Sequence, residues 1–234
     1  MGGYRGGAEA SQRALRTFSA CIQSSELKDI CSELKVALEE ANHSLLELQD
    51  EFPGLGTTLI ALAVKDNHAW WISVGDSPLY LLRDKHLERL NENHSVAEEL
   101  NKAVEKGELT QEQAISDPEY HMITSALTGN KIPLIDCPKL GVDVRKNDRF
   151  LLASDGIHTL NDAEIEKILS TAKQSQQAAG DLIAKVEEKE KPRQDNCTVI
   201  TYFQASSIKW LRLILMLILV SILFAVGSYM FLVH

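Results

Sequence analysis

The chain has 234 residues, of which 44% are hydrophobic and 24% are charged, which suits one domain of ordinary size plus a short additional segment. This composition is globular and excludes a largely disordered chain. Residues 1–208 carry 22 basic side chains against 33 acidic ones. So acidic a domain excludes broad nucleic-acid binding, because phosphate backbones attract the opposite charge.

Two helices are predicted at the start of the chain. The first has an apolar stripe at helical spacing, formed by Ala14, Leu15, Phe18, Cys21 and Ile22. The second runs from about Ser25 to Leu48, with one apolar face formed by Leu27, Ile30, Cys31, Leu34 and Leu38. The sequence EFPGLG at 51–56 ends it.

The hydrophobic period then changes from that of a helix to that of strands. Three strands are predicted, at Thr57–Val64, Ala69–Val74 and Leu79–Arg83, joined by short polar turns. A helix pair followed by a meander of strands is typical of an antiparallel α+β fold rather than of alternating βαβ units.

Residues 93–129 are polar and predict short helices rather than strands. Ser95 is placed to cap a helix that ends near Gly107, and Thr110-x-x-Gln113 predicts the start of another. An insertion of this kind between strands is expected to form a surface flap beside a site.

The C-terminal half of the domain returns to alternating strands and helices. Strands are predicted at Leu140–Val144 and Phe150–Ala153, and the last strand at Cys197–Phe203. Between them, Asn161-x-x-Glu164 predicts a capped helix through Ala172, and a second helix follows over Ser175–Lys189.

Two aspartates stand at the ends of predicted strands. The strand that ends at Ala153 is followed by Asp155-Gly156, and Asp195-Asn196 opens the last strand. We expect both carboxylates to project into one cleft, where their oxygens suit a hard divalent cation. For an isolated pair the simpler interpretation is two ordinary turns, since Asp-Gly and Asp-Asn are common turn dipeptides.

The four cysteines, Cys21, Cys31, Cys137 and Cys197, lie far apart in the sequence. They form no Cys-x-x-Cys pair, and no histidine spacing is typical of zinc. Reduced, buried thiols in a cytosolic domain are therefore expected.

Leu213–Val233 is an apolar run of 21 residues without a charge. A helix of that length spans about 30 Å, the thickness of a hydrocarbon core. Lys209, Trp210 and Arg212 precede it, and the positive-inside rule then places the N-terminal domain in the cytoplasm. We expect a tether at 204–210 and a single-pass transmembrane helix over 211–233; a buried core helix is the alternative.

Six motifs follow one another along the chain: Gly2-Gly3 with Gly6-Gly7-Ala8-Glu9-Ala10-Ser11, Gly56-Thr57-Thr58, Gly75-Asp76-Ser77, Asn93-His94-Ser95, Ala153-Ser154-Asp155-Gly156 and Asp195-Asn196-Cys197-Thr198-Val199. In this order the series resembles the bacterial branch of the metal-dependent serine/threonine protein phosphatases, the PPM or type 2C-like family. The resemblance covers residues 1–203. Each motif alone is weak evidence, whereas six in the family's order are specific.

The resemblance implies an α+β fold in which two antiparallel β-sheets lie between pairs of helices, an α-β-β-α sandwich. It implies two Mn²⁺ or Mg²⁺ ions that activate a water against phosphoserine or phosphothreonine. Asp155 and Asp195 match the family's two C-terminal metal ligands, whereas Gly75-Asp76 is interpreted as shaping a turn. The implied partners are phosphorylated proteins and a serine/threonine kinase or its substrates.

The sequence departs from the family pattern at its start. In the family an Asp-Gly pair that ligates the metals precedes Met-Gly-Gly, and here Met1 is that methionine. The leading strands and an Asn-Glu-Asp motif are missing with it, which predicts an exposed sheet edge and apolar surface. Either the true start lies upstream or the binuclear centre has been lost, and the clean break at a motif methionine favours the first.

Three further positions differ from the family. Asn93 stands where an Asp helps to hold a third metal, so that site is expected to be weak because an amide carries no charge. Pro78 replaces an Arg after Gly75-Asp76-Ser77, with an expected effect on substrate contact. Tyr4 stands where His is common, and a surface aromatic is an equally good interpretation.

These observations favour a membrane-tethered hydrolase of phosphoserine and phosphothreonine on cytoplasmic proteins. The alternative is a non-catalytic phosphoprotein-binding or scaffold module with an incomplete metal site, a pseudophosphatase. A third interpretation is a small membrane protein whose N-terminal part assembles complexes.

Overall fold

The computed structural model describes residues 6–26, 28–191 and 194–204. The helices are α1 Gly7–Gln23, α2 Ile30–His43, α3 Leu46–Gln49, α4 Val96–Glu105, α5 Gln111–Ile115, α6 Asp162–Thr171 and α7 Ser175–Glu188. The strands are β1 Leu59–Lys65, β2 His68–Val74, β3 Leu79–Arg83, β4 His86–Arg89, β5 Val142–Asp143, β6 Arg149–Ala153 and β7 Val199–Phe203. The predictions for Gly2-Gly3, Tyr4 and residues 211–233 lie outside the described residues, as does the tether beyond Gln204.

The strands form two antiparallel sheets. One has the order β1-β2-β5 and the other the order β4-β3-β6-β7. In the second sheet β6 lies between β3 and β7, with Leu151 opposite both Tyr80 and Thr201. Because β6 is paired on both sides, it is a central strand of this sheet. Ser154 and Asp155 follow directly after it.

The two sheets pack face to face between helices, as the α-β-β-α prediction requires. α1 and α2 cover the first sheet, with Ala14, Leu34 and Leu38 packed with Ile72 and Val74 in one core. α6 and α7 cover the second sheet in the same way. The predicted fold class is confirmed for the described residues.

Strand alternation divides the second sheet between two cores. Leu79 and Leu81 face the first sheet together with Phe150, whereas Tyr80 and Leu82 face the outer helices. Successive side chains of a strand point to opposite faces, so β3 and β6 are buried on both sides. This explains why Phe150–Ala153 of β6 form an uninterrupted apolar run.

The helices at the start of the chain differ from the prediction. α2 begins at Ile30 rather than near Ser25, because the Asp29 carboxylate accepts a hydrogen bond from the backbone N–H of Ser32 and caps the helix there. The helix ends at His43, and a separate short α3 follows. Leu15, placed in the buried stripe of α1, is 64% exposed, because the buried positions are Ala10, Ala14 and Phe18.

The strand predictions hold for β1, β2, β3, β6 and β7 within a few residues at each end. β5 is only two residues long, so the strand predicted over Leu140–Val144 is largely irregular. β4 was not expected from the sequence. It follows a tight turn in which Asp84 and Lys85 both take positive φ angles, 51° and 63°, without the glycine that usually signals such a hairpin.

The predicted helix caps are confirmed. Ser95 accepts a hydrogen bond from the backbone of Glu98 at the start of α4. Capping boxes are formed by Thr110 with Gln113 and by Asn161 with Glu164. These local signals were predictable because a cap depends on neighbouring residues alone.

Within the part of the chain that the structure describes, no helix combines the length and the apolar character that crossing a bilayer requires. The run over 211–233 is not among those residues. Its assignment as a transmembrane helix therefore stays a prediction.

An apolar groove of about 300 Å³ lies where α1, β1, β6 and β7 meet. β1 and β7 are each the last strand of their sheet among the described residues. Leu15 and Ile200 line the groove and are 64% and 63% exposed. The described residues thus contain an exposed apolar sheet edge, as expected. That missing leading strands cause this exposure stays a prediction.

Candidate functional site

Asp155 occupies a fixed position at the end of a buried strand. β6 ends at Ala153, Ser154 follows in extended conformation, and Asp155 opens a short 3₁₀ helix, Asp155–Thr159. Leu151 and Ile157 on either side are fully buried. The carboxylate is thus held at the solvent-exposed end of the sandwich by a strand and a turn that are both anchored in the core.

Ser154 ties this strand end to the approach of β7. Its backbone N–H donates to the carbonyl of Thr198 at 3.0 Å, and its Oγ accepts from the Thr198 N–H at 3.0 Å. The same hydroxyl donates to the carbonyl of Asn196 at 3.2 Å. These three bonds hold the backbone next to Asp195. Ser154 thus links the segment that carries Asp155 to the segment that carries Asp195, forty residues later in the sequence.

Gly156 is required here by close approach of the backbone. A Cβ at this position would lie 2.5 Å from the carbonyl oxygen of Asn196 and 3.1 Å from the Cα of Cys197. Its φ is not in the left-handed region. The added Cβ would therefore collide with the segment that carries Asp195.

The carboxylates of this site repel one another. The pKa of Asp155 is raised, first by partial removal from water, then by the negative charge of Asp76 and then by that of Asp195. The structure therefore brings Asp155 and Asp195 within electrostatic range of each other. Their role as metal ligands stays a prediction.

Asp76 is a member of this site that the sequence interpretation assigned only to a turn. Its charge acts on both Asp155 and His158. It follows Gly75, which has a φ of +106° and packs so tightly that a Cβ would lie 2.3 Å from the methyl group of Thr58. The signal for Asp76 was present in the Gly75-Asp76-Ser77 motif, but sequence spacing did not show which way the turn faces.

His94 holds the turn that carries Asp76. The side chain is 2% exposed, and its Nδ1 accepts a hydrogen bond from the Gly75 N–H at 3.2 Å. The backbone N–H of His94 donates to the Gly75 carbonyl at 3.1 Å. Burial lowers the pKa of His94, which keeps the imidazole neutral at neutral pH. Because Nδ1 is an acceptor, the proton lies on Nε2, at 3.8 Å from the nearer Glu92 carboxylate oxygen.

Two further side chains near the carboxylates were not found from the sequence. Arg89 donates from Nη2 to the carbonyl of Asp76 at 2.8 Å and from Nε to the side-chain oxygen of Asn91 at 3.3 Å. The pKa of His158 is lowered, first by partial removal from water and then by the positive charge of Arg89. Arg89 therefore supplies positive charge beside a cluster of acids, and His158 supplies a neutral imidazole.

The described residues do not form a complete metal centre. No group of three or more His, Cys, Asp or Glu side chains among them is placed to hold an ion. A divalent cation would relieve the repulsion between Asp155 and its acidic neighbours, so carboxylate oxygens are suitable ligands here. The number of such ligands among the described residues is too small for a complete site. Asn93, where the resemblance places a third-metal ligand, has a buried Oδ1 without a hydrogen-bond partner among the same residues.

The fold is an α-β-β-α sandwich, and acidic side chains lie together at one end of it. The sequence model of the family described as Protein phosphatase 2C matches residues 2–194. The chain belongs to the protein phosphatase 2C family, and its similarities are to the bacterial serine/threonine phosphatases within it.

Three relatives illustrate the likeness. The chain is 32% identical over 161 residues to the serine/threonine protein phosphatase PstP of Mycobacterium tuberculosis, which covers 67% of this chain and only 30% of that protein. It is 34% identical over 179 residues to protein phosphatase PhpP of Streptococcus pneumoniae, which covers 73% of this chain and 70% of PhpP. The crystal structure of a PstP catalytic domain in complex with two manganese ions aligns at 27% identity with a TM-score of 0.70, covering 87% and 84% of the two chains.

The close approach at Gly156 predicts a site-specific cost for an added methyl group. We expect Gly156→Ala to lower the free energy of unfolding by about 1–3 kcal/mol, because the segment at 196–197 has to move away from Asp155. Urea titration measures the change. Gly180→Ala in α7 is the matched control, since a Cβ there has no neighbour within 4 Å, and it is expected to stabilise by about 0.5–1 kcal/mol. Equal effects of the two substitutions would contradict the close approach.

The raised pKa of Asp155 predicts a pH-dependent effect on stability. The native carboxyl binds its proton more tightly than the unfolded one, so its contribution is lost as the pH rises through the raised pKa. Asp155→Asn should therefore be more stable than the parent at pH 7 in metal-free buffer. The gap should shrink as the pH falls toward 3.8, the ordinary aspartate value.

Urea midpoints measured between pH 7 and pH 4 test this pH dependence. Asp181→Asn, at an exposed position of α7, serves as the control and should leave stability nearly unchanged. A variant at position 155 that is less stable than the parent at pH 7 would show that repulsion is not the dominant charge interaction there.

Proposed function

We propose that this chain is a serine/threonine protein phosphatase domain, which acts on phosphorylated cytoplasmic proteins when its metal centre is complete. The proposal rests on two observations: the chain belongs to the protein phosphatase 2C family, and the negative charges of Asp76 and Asp195 act on Asp155 at the end of β6. The relatives PstP and PhpP are both named as phosphatases, which supports the reaction class. A serine/threonine kinase or its substrates are the proposed partners.

The proposed cofactor is Mn²⁺ or Mg²⁺, with Asp155 and Asp195 among its ligands. A structural relative contains two manganese ions, and hard carboxylate oxygens suit both metals. Since the described residues lack a complete donor set, the remaining ligands are proposed to come from outside them. The reading frame upstream of Met1 tests whether it encodes such ligands.

The apolar run over 211–233 is proposed to anchor the domain in the membrane. Twenty-one uncharged residues follow Lys209, Trp210 and Arg212, a pattern that favours a helix with its N-terminal side in the cytoplasm. In this arrangement residues 1–203 form the phosphatase domain and 204–210 the tether. The domain would then meet its substrates at the cytoplasmic face of the bilayer.

The second candidate function is a non-catalytic module that binds phosphoproteins or acts as a scaffold. It is favoured by one observation, the lack of a three-ligand group among the described residues. Such a protein keeps the fold and the acidic cleft but binds metal weakly. Calorimetry with Mn²⁺ separates the candidates, because tight binding of two ions is expected only of the enzyme.

The proposal predicts metal-dependent hydrolysis that requires both carboxylates. With Mn²⁺ and either p-nitrophenyl phosphate or a phosphothreonine peptide, we expect turnover by the reading frame extended upstream of Met1, and Asp155→Asn or Asp195→Asn to reduce it at least about 100-fold. The 234-residue chain alone should show little activity, since two monodentate carboxylates hold ions weakly. Asp181→Asn is the control and should keep full activity.

Two outcomes would count against this assignment, and a third would contradict only the low activity expected of the 234-residue chain. Absence of turnover in the extended protein would reject the enzyme, and turnover insensitive to both substitutions would reject the site. Strong Mn²⁺-dependent hydrolysis by the 234-residue chain would instead show that these 234 residues hold a complete metal centre without upstream ligands.

The membrane assignment predicts how the protein fractionates. The full chain should remain with membranes after an alkaline carbonate wash, which removes peripheral proteins, while a chain ending at Phe203 should be released. Immunoblotting of pellet and supernatant measures the distribution. Release of the full chain would overturn the anchor without affecting the phosphatase proposal.

A further inference from the structure

Two of the four cysteines meet in the fold. Cys31 lies in the first turn of α2, and Cys137 lies in the irregular segment before β5. The two are 106 positions apart in sequence, yet their sulfur atoms are 2.9 Å apart. We propose that Cys31 and Cys137 are a modification site, a pair of thiols that an oxidant such as a small-molecule disulfide converts into a crosslink between α2 and this segment.

The geometry requires little movement. A disulfide bond is about 2.05 Å long, so the sulfurs need to approach by about 0.9 Å. Each thiol already faces the backbone of the other residue, with Cys31 Sγ at 3.5 Å from the Cys137 carbonyl and Cys137 Sγ at 3.8 Å from the Cys31 carbonyl. Each sulfur is thus nearer to the other sulfur than to the other residue's carbonyl oxygen.

The backbone on both sides of the pair is held in place. Next to Cys137, Asp136 exchanges two backbone hydrogen bonds with Ser73 of β2, at 2.9 and 3.0 Å, and its carboxylate accepts from Trp71 Nε1 at 2.8 Å. Next to Cys31, Asp29 caps α2. Because these contacts do not involve either sulfur, the thiols stay opposed whether or not they are bonded.

The oxidation balances with one molecule of a small disulfide, such as oxidised glutathione. The thiolate of one cysteine attacks the small disulfide, forms a mixed disulfide and expels one thiolate leaving group. The other cysteine loses its proton and attacks the protein sulfur of that mixed disulfide, expelling the second leaving group. Two protein thiols are oxidised, and one small disulfide is reduced to two thiols.

The surroundings make this reaction slow. Burial, followed by the hydrogen bond with Cys31, raises the pKa of Cys137 to about 12, and the nearby positive charge of Lys35 only partly opposes this. Since the thiolate is the nucleophile, the pair is not a fast oxidant sensor. It is a latent crosslink that forms on sustained oxidation. The loop it closes includes the whole first hairpin, so closing it constrains the unfolded chain and stabilises the domain.

The test uses the purified full chain, reduced and then incubated for hours at pH 8 with oxidised glutathione. After acid quench and alkylation, mass spectrometry of a non-reducing digest should identify a peptide pair joined through Cys31 and Cys137. Oxidation should raise Tm by about 5 °C or more, and dithiothreitol should reverse the rise. Cys31→Ser and Cys137→Ser should each remove the crosslink and the Tm shift, whereas Cys21→Ser should keep both.

Oxidation in concentrated urea supplies a comparison that does not depend on variants that fold. Four cysteines joined at random allow three pairings, so the unfolded chain should give this pair in about a third of its fully oxidised molecules. The folded chain should give it almost alone. Glutathione retained as a mixed disulfide on Cys137, a different pairing in the folded chain, or equal yields with and without urea would each overturn the proposal.

Discussion

The site depends on how the segment before β7 is held against the end of β6. Ser154 provides three hydrogen bonds across this junction, and Gly156 leaves the space that the backbone of Asn196 occupies. Both strands pair along their length, from Arg149 opposite Phe203 to Ala153 opposite Val199. The register of these two strands therefore determines where Asp195 lies relative to Asp155. The pairing ends at Ala153 and Val199, next to the two aspartate-bearing segments.

The acidic end of the molecule is electrostatically unfavourable, and the rest of the fold compensates for it. Carboxylates that repel one another cost stability, which is a common property of functional sites. Fully buried leucines on both faces of β3 and β6, together with the helices outside them, supply apolar burial that offsets this cost. His94 and Arg89 add local support by holding the backbone around Asp76.

Much of the fold was predictable from the sequence because it rests on short-range patterns. The alternation in β1 to β3 and the caps at Ser95, Thr110 and Asn161 depend on residues close together in the chain. The start of α2, the hairpin to β4 and the exposure of Leu15 were not predictable in this way. In each case the outcome depends on a competing cap, on a turn without glycine, or on which face of a helix meets the sheet.

The candidate site also contains residues that could be predicted from the sequence and residues that could not. Asp155 and Asp195 could be proposed because each stands at a strand end and within a recognisable motif. Asp76, Arg89 and His158 required the fold, since charges from different loops act on one another only after the sheets have paired. The opposition of Cys31 and Cys137 is a tertiary feature of the same kind, and their sequence spacing gives no indication of it.

The place of β7 in the chain has a consequence for biosynthesis. Asp195 and β7 are the last parts of the described domain to be synthesised. β3 and β6, which belong to the same sheet as β7, are synthesised earlier. Domains form from the N-terminus as the ribosome proceeds. The acidic end of the sandwich therefore assembles only after nearly all of the domain has been translated.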